Sequence, residues 1–92
     1  MEFIKCNDRI YSEDTNGKLL AEITFPEISE NVININHTFV DDSLRGQGIA
    51  GKLINGVVEY AVRENKKIYP TCSFAVKWFE KNKEYQYLVA EI

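Results

Sequence analysis

This chain is poor in metal-binding side chains: its 92 residues hold one histidine and two cysteines. His37, Cys6 and Cys72 lie far apart, without the close pairing of a zinc motif, so no metal is expected. The cysteines show no framework spacing and follow no export signal, which predicts free thiols in a reducing cytoplasm. Long apolar runs are also missing. The N-terminal "MEFIKCNDRIYSE" is too polar for a secretion signal, and no later stretch nears the about 18 apolar residues of a membrane span. Positive charge is not in excess: 11 Lys and Arg against 14 Asp and Glu leave a net charge of -3, which excludes nucleic acid as an expected partner. The basic stretches "RENKK" (63–67) and "KWFEKNK" (77–83) are broken by acids and read as solvated faces. A chain of this length supports one domain, residues 1–92, with one small core.

What is present begins with short strands. Residues 2–6 and 9–13 read as strands separated by "ND". Asn16-Gly17 marks a tight hairpin turn. Leu19, Ala21, Ile23 and Phe25 then alternate with more polar neighbours, and Pro26 ends that strand. "NVININHTFV" (31–40) is β-branched and alternating, a strand by both criteria. Past "DDSLRGQG" the apolar period changes. Ile49, Leu53, Ile54, Val57, Val58, Ala61 and Val62 predict an amphipathic helix over about 48–64, with Asn65 as a left-handed stop. "KIYPTCSF" (67–74) is expected as a strand, irregular or at an edge because of Pro70. Residues 75–83 are expected as a second helix, and 85–92 as a final strand. Strand 31–40, the helix and strand 67–73 make one right-handed parallel crossover. The fold class is mixed α/β, with antiparallel hairpins leading into a β-α-β unit.

The segment "LRGQGIAGKL" (44–53) carries three overlapping phosphate signatures. Gly46, Gly51 and Lys52 spell most of a P-loop. However, Leu53 stands where Mg²⁺ needs a Ser or Thr, and no later strand ends in a suitable Asp. Gly46, Gly48 and Gly51 spell G-x-G-x-x-G. Yet "DDSLR" separates them from the strand, the next strand lacks the ribose-binding acid, and two mononucleotide halves exceed 92 residues. Arg45, Gly48 and Ala50 spell R-x-x-G-x-A, which meets no such objection. The bare alternative is a glycine-rich connection without ligand, although three glycines in six residues exceed what a connection requires.

Placed between strand and helix, this last pattern resembles motif A of the GNAT superfamily of acetyl-CoA-dependent N-acetyltransferases. "AVKWFEKNKEY" (75–85) resembles the motif that follows, so the likeness covers about residues 32 to 87. The resemblance implies a GNAT-like fold with a splayed parallel strand pair and two helices packed on the sheet. It implies acetyl-CoA or coenzyme A as cofactor, with Arg45, Gly46, Gln47, Gly48, Ile49 and Ala50 around the pyrophosphate and Phe39 and Val40 against the pantetheine. The partner implied is an amine acceptor, a protein or a polyamine.

Amine acetylation needs a base, oxyanion donors and a proton source for the leaving thiolate. A backbone N–H near Phe39 or Val40 is implied for the second role. His37 suits the first, but it is in phase with Ile33 and Ile35, so a hydrogen-bonded histidine at the core's edge is the other reading. For the third role the superfamily often uses a Tyr where this chain has Phe79. The chain also lacks the acceptor-pocket segment of larger members and is similar to a short GNAT-like subfamily in which a strand cysteine is suspected of activity. Cys72 matches it and could accept the acetyl group, form a disulfide with coenzyme A, or line the tunnel; a buried structural thiol is the plain alternative. Two functions follow: an N-acetyltransferase, or a coenzyme A-binding module with little or no turnover. Neither the acceptor nor the oligomeric state is legible.

Overall fold

The computed structural model describes residues 1–91. Its first part is a meander in which β1 (Ile4–Lys5), β2 (Arg9–Glu13) and β3 (Leu19–Thr24) pair antiparallel. The β2–β3 turn is built as its residues demand. Gly17 takes φ +83°, and Asp14 Oδ1 accepts from the backbone N–H of Asn16 at 2.8 Å and of Lys18 at 2.9 Å, an Asx-type fastening. After Pro26 comes β4 (Glu27–Ser29), a strand the sequence did not reveal: all three residues are exposed, so no alternation marks it. Asn31, at φ +64°, turns the chain into the next strand.

The strand expected over 31–40 is two strands, β5 (Val32–Ile35) and β6 (His37–Val40). Asn36 interrupts them. Its N–H donates to the Thr24 carbonyl at 3.3 Å, and its side-chain oxygen accepts from Thr24 Oγ1. The interruption shifts the alternation by one residue. Ile33 and Ile35 are buried, but beyond Asn36 the half-buried residues are Thr38 and Val40, while His37 and Phe39 are exposed. Partners change as well. β5 runs parallel to β7 (Lys67–Pro70), with Val32 opposite Lys67 and Ile35 opposite Pro70, whereas β6 runs antiparallel to β3. Two sheets result, ordered β1-β2-β3-β6 and β4-β5-β7. The N–H groups of Thr71 and Cys72 both donate to the Ile35 carbonyl, at 3.0 and 3.2 Å, and close the parallel ladder. Beyond that rung the strands part, as the expected splay requires.

Helix α1 (Ile49–Arg63) carries its buried stripe on Ile49, Leu53, Ile54, Val57, Val58 and Ala61; Val62 falls off it and is exposed. Its end is a Schellman closure: Asn65 sits at φ +56°, Lys66 N–H donates to the Ala61 carbonyl and Asn65 N–H to that of Val62. β7 stops at Pro70, so Cys72 is not a strand residue, and α2 (Ser73–Lys81) begins two residues earlier than expected. Proline lacks the N–H for a further rung, and Cys72 takes up the cap of the helix instead. The strand expected over 85–92 is also replaced. Lys83–Leu88 forms a 3₁₀ helix, because Tyr85 stacks on Trp78 at 5.5 Å and Gln86 Nε2 donates to the Phe79 carbonyl at 2.6 Å. Only Val89 bridges to Ile68, and Ile92 lies outside the described residues.

The core joins both sheets to α1 through Ile10, Ile23, Ile33, Ile35, Leu53 and Ile68. Gly56 lets the helix come close: a Cβ there would lie 2.9 Å from Ile10 Cδ1. That approach accounts for a glycine costing about 1 kcal/mol of helix propensity. Leu53→Ala is expected to lower the unfolding free energy by about 2–5 kcal/mol in urea denaturation. Gly56→Val, which forces Ile10 to move, is expected to cost about 1–3 kcal/mol in the same assay.

Candidate functional site

The segment between β6 and α1 is held from its polar side. Asp41 Oδ2 accepts from Ser43 N–H at 3.1 Å and from Ser43 Oγ, which starts a single 3₁₀ turn, Asp42–Leu44. The Ser43 hydroxyl first, then its backbone N–H, hold the Asp41 carboxyl below its ordinary range, with Lys18 adding to this. Arg45 pairs with Asp42 at 2.9 Å, but both side chains are exposed; such a pair contributes little and leaves Arg45 able to turn to another anion.

Gly46 and Gly48 adopt φ +83° and +70°. Gly48 caps α1 in the left-handed region and offers no side-chain cap. Consequently none of the backbone N–H groups of residues 46–51 donates to a protein acceptor among the described residues. They gather at the positive end of a 15-residue helix, where an anion gains from both the dipole and the donors. Buried Ile49 pins this end to the core.

A depression of about 220 Å³ opens here, and Val40, Arg45, Gly46, Gly48, Ile49 and Ala50 all line it. Six of the eight residues expected to hold a cofactor are thus together. Gln47 is exposed outside the lining, and Phe39 projects from the other face of β6. Leu44, Gly51 and Phe74 also line the depression and were not anticipated. Gly51 belongs to the glycine pattern, but Phe74 was hidden by its assignment to a strand; on α2 it faces the loop. A second depression, of about 260 Å³ between the first hairpin and α1, is lined by Phe3, Lys5, Ile10, Lys52 and Gly56. It has no comparable cluster of free amides, so the loop is the better candidate.

The two candidate reactive side chains are not brought together. His37 is not at the core's edge in phase with Ile33 and Ile35; it is about half exposed, with Nε2 3.3 Å from Glu22 Oε1. Cys72 faces Thr38, on the opposite side of β6: Sγ lies 3.3 Å from Thr38 Oγ1 and accepts from Ala75 N–H at 3.4 Å. Sequence reasoning missed Thr38 and Glu22, since only the strand register places them beside Cys72 and His37. Phe79 is buried, edge-on to Trp78 at 5.0 Å.

Comparisons with known proteins bear on the family and the fold. The profile of the family described as GCN5-related N-acetyl-transferase matches residues 9–88. The chain is 31% identical to Protein NATD1 of Gallus gallus and of Homo sapiens over 68 residues, 74% of its own length; the match spans only 62% and 60% of theirs. A GCN5-like protein from Staphylococcus aureus, solved by NMR, superposes with a TM-score of 0.82 at 41% identity, covering 99% of this chain and 89% of that one. The GNAT family N-acetyltransferase YhbS of Escherichia coli, crystallised with CoA, shares the fold at a TM-score of 0.60 and 16% identity, covering 75% of this chain and 42% of that one.

Gly48→Ala places a side chain at φ +70° and is expected to cost about 1–2 kcal/mol. Gly51→Ala meets Trp78 at an ordinary 3.8 Å and is expected to gain up to about 1 kcal/mol in helix propensity; urea unfolding should give opposite signs. The Asp41 carboxyl has its pKa lowered by folding, so its contribution is complete at neutral pH and fades as pH falls through that lowered value. Wild type should therefore exceed Asp41→Asn in stability at neutral pH, and the difference should close in acid.

Proposed function

Because this chain belongs to the GCN5-related N-acetyltransferase family, we propose that it binds acetyl-CoA at the glycine loop and transfers the acetyl group to an amine. The observation that carries this is the cluster of free N–H groups over residues 46–51 at the head of α1. Hydrogen bonds to charged groups are worth about 1.5–3 kcal/mol each, so a few of them anchor a diphosphate without a lysine clamp. The loop also fits in shape: nothing lies within 4 Å of where a Cβ would stand on Gly46 or Gly48, so a phosphate can approach the backbone.

In this assignment Arg45, Gly46, Gln47, Gly48, Ile49 and Ala50 surround the diphosphate, with Phe74 as an added apolar wall. Phe39 and Val40 border the pantetheine on β6, beyond the point where the chain leaves the parallel ladder of β5 and β7. When bound, acetyl-CoA supplies the activated acetyl thioester. A backbone N–H near Phe39 or Val40 is directed at the carbonyl oxygen as the charge on it grows. His37, on the exposed face of β6, is the base for an acceptor arriving from solvent. Cys72 sits on the inner side, and its thiol is the candidate to serve the departing sulfur, a task the buried Phe79 lacks the chemistry to perform. Its contacts with Thr38 and Ala75 N–H hold that thiol in place.

An amine carried by a protein or a polyamine is the acceptor class this reading favours, supported by the exposed position of His37. No helix among the described residues is long and apolar enough to cross a membrane. The free thiols Cys6 and Cys72 suit a reducing compartment, and we place the protein in the cytoplasm.

Coenzyme A at a hundred times its Kd is expected to stabilise the fold by about 2.7 kcal/mol, a rise of several degrees in Tm, whereas NAD and ATP leave it unchanged. Gln47→Glu sets a carboxylate on an exposed position beside the amides and should weaken coenzyme A about tenfold, one charge-assisted contact, with no fall in Tm in its absence, since a carboxylate is favoured at a helix N-terminus. No stabilisation by coenzyme A or acetyl-CoA would overturn the assignment. Binding without transfer to spermidine or to a lysine-containing peptide would leave a binding module instead.

A further inference from the structure

We infer that Glu22 is a positioning residue for amine deprotonation, acting through His37; this rests on the acetyltransferase function proposed above. The strand register builds the arrangement. Tyr11, Glu22 and Phe39 stand opposite one another across β2, β3 and β6, and Arg9, Thr24 and His37 form the adjoining row. Residues two apart on a strand share a face, so all six belong to one face of the sheet. The opposite face of the sheet is the one that places Ile10, Ala21 and Ile23 in the core.

Glu22 reaches diagonally to both sides. Its Oε2 is held by Arg9 Nε, and its Oε1 lies 3.3 Å from His37 Nε2. Arg9 is itself fixed, with its guanidinium 3.7 Å above the Tyr11 ring. The Glu22 side chain is only 16% exposed although it sits on the outward face of the sheet. A shielded carboxylate, clamped by a permanent cation, therefore presents its second oxygen to the chain's single histidine. Stability gives no reason for that second contact. The Arg9 pair already satisfies the charge, and a pair with a half-exposed histidine contributes little.

Its chemical consequence is larger. A carboxylate that takes the hydrogen on one ring nitrogen settles which nitrogen carries a lone pair. The carboxylate 3.3 Å from Nε2 favours the hydrogen on that nitrogen and leaves Nδ1 as the acceptor, although the contact is a charge pair and not an aligned hydrogen bond in this rotamer. In the transfer, Nδ1 takes a proton from the acceptor's ammonium, the N–H bond breaks, and its electron pair remains on the amine as the nucleophile. The imidazolium so formed has Glu22 beside it, and the proton leaves His37 to solvent after transfer.

The test uses the intact chain, acetyl-CoA, and spermidine or a lysine-containing peptide as acceptor, with the released thiol as readout. His37→Ala should lower kcat by about 10²–10⁴-fold, the range for a placed base. Glu22→Gln should lower it by about tenfold or more within that range, with KM for acetyl-CoA and the coenzyme A thermal shift unchanged. The double variant should be no slower than His37→Ala alone, because Glu22 has no other route to the chemistry. Multiplied losses in the double variant, or an unaltered kcat in Glu22→Gln, would overturn the role. A second measurement needs no variant: since the chain has one histidine, ¹⁵N NMR of the wild type reports its tautomer directly. Hydrogen on Nε2 supports the pairing with Glu22; hydrogen on Nδ1 overturns it. Failure of the wild type to transfer acetyl at all defeats the acetyltransferase function itself, which is distinct from transfer that ignores Glu22.

Discussion

The break at Asn36 is the constraint on which the rest of the molecule depends. One extended segment must serve two sheets, and the side-chain and backbone bonds between Asn36 and Thr24 fix where it changes partners. Before the break the chain is bound to β7; after it, to β3. β6 and the chain leaving β7 share no ladder and meet instead through the side chains of Thr38 and Cys72. The same break turns His37 outward and Thr38 inward, so one side of β6 is open to solvent and the other faces Cys72.

The glycine loop answers a second requirement. A helix start leaves donors without partners, and most proteins quiet them with a side-chain cap. Here Gly48 occupies the cap position and supplies nothing, while Asp41 spends its carboxylate one turn earlier on Ser43. The loop is thus rigid on the side that faces the protein and open on the side that faces solvent. Net charge works against an anionic ligand in a chain of -3, so the affinity must come from short-range donors and from the helix terminus, whose reach is one turn.

Much of this was written locally. The Asn16-Gly17 turn, the α1 stripe apart from Val62, the Asn65 stop and the strand-ending effect of Pro26 are each decided by a residue's own backbone preference or by its period, and they stand as read. The failures share one cause. β4 has no apolar face to announce it, the β5–β6 break depends on a side chain of β3, and the C-terminal 3₁₀ turn depends on Trp78 and Phe79. In each, a contact made outside the segment outweighed its own propensity, as happens when context decides between states of similar intrinsic energy.

The site divides along the same line. The sequence by itself determined the glycine loop and its free donors, because glycine conformation and helix-terminal donors are properties of contiguous residues; six of the eight residues expected to hold a cofactor line one depression. Only the tertiary structure decided what stands around the chemistry. Phe74 at the loop, Thr38 against Cys72, and Glu22 between Arg9 and His37 are neighbours through strand register and helix placement. A one-residue shift of alternation reverses every such relationship. That shift was made by a bond between Thr24 and Asn36, twelve residues apart, and no local pattern records it.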